Sequence, residues 1–111
     1  RNGILIHRNY TAFGNVLITA AAISKVGAFN EEYDPYGMQD ADYAHRLLKT
    51  GHINYYLHGL RAEHIGHDVG NGTEYRRMKD ESLGTALAKW DRLVTKYDQE
   101  ENYTINLPEW P

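Results

Sequence analysis

The sequence has no cysteine, so it can form neither a disulfide framework nor a cysteine-ligated zinc site. It has no excess of positive charge. The formal net charge is −3 and the Lys and Arg residues are scattered, which argues against a nucleic-acid partner. No apolar run approaches the roughly 20 residues of a membrane-spanning helix, and no signal peptide is visible. There is no internal repeat and no low-complexity segment. The chain also lacks an opening Met: it runs from Arg1 directly into Ile4-Leu5-Ile6, as expected of a piece of a longer protein. What remains is 111 residues, 41% hydrophobic and 24% charged, the profile of one small globular domain. Such a chain buries roughly 60–70% of its unfolded surface, enough for one core.

The richest stretch is Tyr36-Gly37-Met38-Gln39-Asp40-Ala41-Asp42-Tyr43-Ala44-His45-Arg46-Leu47-Leu48. It reads as a Gly-containing loop feeding an acidic helix start, with Tyr43, Ala44, Leu47 and Leu48 at helical spacing and Lys49-Thr50-Gly51 as the stop. Asp40 precedes Tyr43, Ala44 and Leu47 by three, four and seven residues, which places it on the inward stripe. Asp42 lies roughly 200° further round and is expected to pair outward with Arg46 at i+4. Asp40 is thus either a carboxylate aimed into a cleft or a helix-start residue serving the macrodipole, the latter at a gain of about 0.3–1 kcal/mol.

Along the rest of the chain, Gly3-Ile4-Leu5-Ile6-His7 reads as a short strand and Thr11 to Ile18 as a second, with Gly14 marking a bulge or close approach. Thr19 caps a helix from Ala20 to Val26, and Gly27 is its left-handed stop. Residues 28–37 form a loop with Asp-Pro turn chemistry and three aromatic residues. Ile53, Tyr55 and Leu57 alternate with Asn54, Tyr56 and His58, as in a strand with one buried face, and Leu60, Ala62 and His64 continue an alternation beyond Gly59. Asn71 or Thr73 can start a long helix from Glu74 to about Tyr97. Its apolar positions Tyr75, Met78, Leu83, Ala86, Leu87, Trp90, Leu93, Val94 and Tyr97 predict packing along one face, with a kink allowed at Gly84. The division is therefore a body at 1–97 and an extended tail at 98–111.

Four of the six His lie between positions 52 and 67. His64 and His67 sit three apart in a Gly-bearing loop with Asp68 beside them, so both imidazoles could reach one ion. The pair reads either as a metal site or as ordinary histidine.

In order, Phe13-Gly14-Asn15-Val16-Leu17-Ile18, Ile23-Ser24-Lys25-Val26-Gly27-Ala28-Phe29-Asn30-Glu31-Glu32-Tyr33, Gln39-Asp40-Ala41-Asp42-Tyr43-Ala44-His45-Arg46-Leu47, Gly51 and the later His64 resemble the second half of a family 2, GT-A-type glycosyltransferase domain. The resemblance covers roughly residues 11–70. It implies an α/β fold: a partial GT-A fold with a short mixed sheet, packed helices and a long C-terminal helix. It further implies an inverting transferase that moves a sugar from a nucleotide-sugar donor to a saccharide or glycan acceptor in polysaccharide biosynthesis. By the resemblance Asp40 is the general base, although Gln39 stands where the family has Glu. Tyr33, Tyr36, Gln39 and Asp42 would shape the acceptor pocket. His64, or His67 as the neighbouring choice, would ligate a divalent metal (Mn²⁺ or Mg²⁺) on the diphosphate. The nucleotide-binding first half with its Asp-x-Asp motif is missing. Asp40-Ala41-Asp42 has that lettering but the position of the catalytic element. The implied setting is cytoplasmic, with the membrane surface as the alternative and no span in this chain.

The residue types suit that chemistry. A carboxylate at a cleft can take the proton of an attacking hydroxyl, and a divalent cation can neutralise a leaving diphosphate. Two rivals stand beside it: a non-catalytic carbohydrate-binding or interaction module, and a small metal-dependent hydrolase built on His64, His67 and Asp68.

Overall fold

The computed structural model describes residues 4–8, 15–58 and 73–109. Within these the protein is mixed α/β and mostly helical. The elements are β1 (Ile4–Arg8), α1 (Ala20–Val26), a 3₁₀ turn (Glu31–Tyr33), α2 (Gln39–Lys49), β2 (Asn54–His58) and α3 (Thr73–Glu100). No helix among the described residues is long and apolar enough to cross a membrane.

Helix α1 has the predicted ends. The Thr19 hydroxyl accepts from the Ala22 amide at 3.1 Å, and Gly27 closes the helix at φ +74°. Gly27 is required twice over. Its φ lies where side chains are strained, and a Cβ there would run into the Ile105 carbonyl. Ile105 belongs to the tail, which lies along the end of α1 as a parallel bridge. The Ile105 amide donates to Val26 O at 2.9 Å and the Ala28 amide to Ile105 O at 2.8 Å. The tail begins later than predicted, because Asp98-Gln99-Glu100 contain no breaker and α3 continues to Glu100, ending where Glu101 adopts φ +50°.

Helix α2 has neighbours on two sides. Tyr43 and Leu47 join Ala22 and Val26 of α1 in one apolar cluster. Beside α2, Tyr33 of the 3₁₀ turn packs with Leu93, Val94 and Tyr97 of α3, against which Met38, Trp90 and Tyr103 lean. Only the C-terminal part of α3 is committed to this core. Ala86, Leu93, Val94 and Tyr97 are buried, whereas Leu83 and Leu87 are about half exposed. The expected packing by one face is met in this part of the helix, where Leu93, Val94 and Tyr97 pack with Tyr33. The helix runs unbroken through Gly84. The side chain of Tyr75 lies outside the described set.

Among the described residues the sheet is a two-stranded antiparallel ribbon, with Ile4 opposite His58 and Arg8 opposite Asn54. The expected mixed sheet is not seen among the described residues. Of the second predicted strand, residues 11–14 lie outside the described set, and residues 15–18 carry no strand pairing. The predicted buried face of β2 is also corrected. Ile53 and Tyr55 are about half exposed, and Asn54 is the strand residue that turns inward.

Candidate active site

The loop between α1 and α2 is built from its own polar side chains. Asn30 Oδ1 accepts from the Glu32 amide at 3.0 Å and caps the 3₁₀ turn, which lies within the loop expected at 28–37. The Asp34–Pro35 bond is cis, and the chain then reverses through Gly37 (φ +106°) and Met38 (φ +66°) into α2. Met38 occupies the cap position without a side-chain hydrogen bond to the first-turn amides.

Beneath that turn lies a buried ion pair. Asp42 and Arg46 are both fully buried, with Arg46 Nε donating to Asp42 Oδ1 at 2.8 Å. Asp42 Oδ2 accepts from the Tyr33 hydroxyl at 2.7 Å and the Tyr97 hydroxyl at 2.8 Å. The Tyr97 hydroxyl in turn accepts from Asn30 Nδ2 at 2.8 Å. Arg46 also donates to backbone carbonyls, Nη1 to Val26 O and Nη2 to Ala28 O, each at 2.8 Å, and Nη1 further to Tyr103 O at 3.5 Å. Its guanidinium also stands over the Tyr43 ring, 4.9 Å from the centroid.

Burial, reinforced by hydrogen bonding to Asp42, drives the Tyr33 phenol far above its ordinary range. Burial likewise pushes Tyr97 up to about 12. Tyr43 is raised by burial too, and its hydroxyl donates to Gly27 O at 2.9 Å.

The i,i+4 pairing of Asp42 with Arg46 is as predicted, but its direction is corrected from outward to inward. A single-stripe wheel assumes one packed side. Because α2 is covered by α1 on one flank and by the 3₁₀ turn and α3 on the other, its buried arc includes Ala41, Asp42, Tyr43, Ala44, Arg46 and Leu47.

Asp40 is half-buried at the helix start, and its Oδ1 accepts from the Ala41 amide at 2.8 Å. Gln39 beside it is exposed. Tyr36 is half-buried, with the Lys79 ammonium 5.4 Å over its ring. Of the predicted acceptor-pocket residues, Gln39 and Tyr36 therefore retain accessible surface, while Tyr33 and Asp42 are sealed inside. His64, His67 and Asp68 lie outside the described residues. Within the described set, no three His, Asp or Glu side chains gather as a metal site.

Sequence reasoning missed Asn30 and Tyr97. Tyr97 was visible only as the last apolar position of α3, and Asn30 only as a turn residue. Their meeting, 67 positions apart, has no local signal.

At the other end of α2, Asp98 Oδ1 accepts from the Tyr103 hydroxyl at 2.9 Å and lies 3.1 Å from His45 Nε2. Its partial burial acts to raise this carboxyl, but the hydrogen bonds from Tyr103 and His45 outweigh that and hold it below the usual range. Comparison with family models, with curated proteins and with solved structures finds no match to this chain.

Proposed function

We propose that this chain is the acceptor-side half of an inverting, family 2, GT-A-type glycosyltransferase, with Asp40 as the general base. One observation carries the reading. The two segments of strongest resemblance, residues 23–33 and 39–47, are joined to each other by Arg46 on Val26 O and Ala28 O and by Tyr33 on Asp42. Asp40 keeps part of its surface exposed at the start of α2. A family pattern whose two halves fold against each other in this way is supported beyond its lettering.

In this reading the Asp40 carboxylate takes the proton of an acceptor hydroxyl as that oxygen attacks the anomeric carbon, opposite the leaving nucleoside diphosphate. Gln39 hydrogen-bonds an acceptor hydroxyl, and Tyr36 helps to shape the acceptor pocket. A divalent cation would neutralise the diphosphate, with His64 or His67 as its ligand. A single base, without a second carboxylate nucleophile, suits inversion.

The test is the Asp40→Asn variant of the complete protein. Transfer from the nucleotide sugar is expected to fall about 10²–10⁴-fold while donor binding stays intact, because the amide keeps the shape but takes no proton. Wild-type turnover in that variant would reduce Asp40 to a helix-start residue.

A further inference from the structure

We propose that Asn30 and Tyr33 are positioning residues for Asp40, acting through Asp42. They fix the loop between α1 and α2 against the first turn of α2 from below. The inference rests on the glycosyltransferase reading and changes the role that reading first gave to Tyr33 and Asp42.

The argument starts from how α2 begins. A helix start is ordinarily set by a side chain at the cap position that accepts from the first free amides. Here the cap residue is Met38, which makes no such bond, and the preceding backbone has positive φ at both Gly37 and Met38. The local bonds at this turn, from the Ala41 amide to Asp40 Oδ1 and from the Asp42 amide to Met38 O, lie within the helix, so the pose of the turn against the rest of the protein is set by tertiary contacts.

Those contacts converge on Asp42, two residues beyond Asp40. Its amide donates to Met38 O at 2.9 Å, closing the first turn. Its carboxylate is held from three elements: Tyr33 in the 3₁₀ turn, Tyr97 in α3 and Arg46 in α2 itself. Asn30 braces the same assembly twice. Its Oδ1 caps the 3₁₀ turn that carries Tyr33, and its Nδ2 donates to the Tyr97 hydroxyl, which in turn donates a hydrogen bond to Asp42. Tyr33 and Asp42 are 2% and 0% exposed, so neither can touch an acceptor sugar. Asp40 stands on the same turn with part of its surface free. A base must meet its hydroxyl within hydrogen-bond reach, and a displacement of about 1 Å can cost about 10²-fold in rate. Asn30, Tyr33 and Asp42 thus set that distance while doing no chemistry.

Purely structural residues would lower stability and leave turnover per folded molecule unchanged, so the experiment separates the two. Tyr33→Phe, Asn30→Ala and a control, Ala22→Gly, are made in the complete protein. The control weakens α1 and removes none of the network's hydrogen-bonding side chains. The kcat and donor KM are measured at a temperature where circular dichroism shows every variant folded. Tyr33→Phe and Asn30→Ala are expected to lower kcat about 10-fold or more with donor KM unchanged, while Ala22→Gly keeps the wild-type kcat. Wild-type kcat in both network variants, or an equal loss in the control, overturns the inference. If Asp40→Asn itself keeps full activity, the glycosyltransferase reading falls and this inference with it. If Asp40→Asn is inactive and the network variants are unimpaired, the positioning role alone is overturned.

Discussion

Arg46 is a charged side chain with no exposed surface, tolerable only because each inward donor has an acceptor: Asp42, Val26 O and Ala28 O. Removing one partner of a buried ion pair leaves the other uncompensated, at about 3–5 kcal/mol. Arg46→Met is therefore expected to cost about that much in a denaturant melt, because Asp42 then keeps only two phenolic donors. Asp40→Ala should cost no more than about 1 kcal/mol, the worth of an acidic residue at a helix start. Equal costs for the two would contradict the inward placement of the pair. The phenols around it set a pH limit. Tyr33 and Tyr97 are raised in the folded protein above the value of about 10 for a free phenol. Their contribution is fully present below about pH 10 and is lost as the pH climbs, toward about 12 for Tyr97 and beyond that for Tyr33. Stability should fall by about 1.4 kcal/mol per pH unit per phenol in that window, and Tyr97→Phe should show a shallower decline in denaturation midpoints. At this scale the Asp42–Arg46 spacing was legible but not its direction. The wheel records what lies on one helix, whereas the second packed flank is made by Tyr33 and Tyr97, which are distant in sequence.

Among the elements, α1 was the most legible, because Thr19 and Gly27 are local devices that need no partner. The Asp-rich start and Gly51 end of α2 were legible for the same reason. The pairing of β1 with β2 and the docking of the tail were not, since both join segments about 50 to 80 positions apart through backbone groups. The tail makes a prediction of its own. Gly27→Ala forces a side chain onto positive φ and into the Ile105 carbonyl, so the tail must lift. Amide hydrogen exchange should then lose protection at both Ala28 and Ile105 while the centre of α2 stays protected. Unchanged protection at Ile105 would mean that the bridge does not hold the tail.

On the scale of the whole molecule, the described core brings α1, α2, the 3₁₀ turn, the end of α3 and the tail around one ion pair, and it carries Asp40 at its edge. In the proposed reading this is the acceptor side alone, and the donor nucleotide would be held by a first half that the 111-residue sequence does not include. The isolated chain should accordingly transfer no sugar above a buffer blank, and transfer by it would contradict that division of labour. The histidine assignment belongs to the same scale. Activity of the complete protein against Mn²⁺ or Mg²⁺ concentration should shift more for His64→Ala than for His67→Ala, because the sequence alternation Leu60, Ala62, His64 is that expected of a strand and a held ligand loses less entropy on binding. The most direct measurement on the central claim is transfer itself. The complete protein is supplied with nucleotide sugar and acceptor, and the anomeric configuration of the new linkage is read by NMR. The account predicts transfer with inversion, abolished by Asp40→Asn; retention of configuration, or no transfer from any nucleotide sugar, would contradict it.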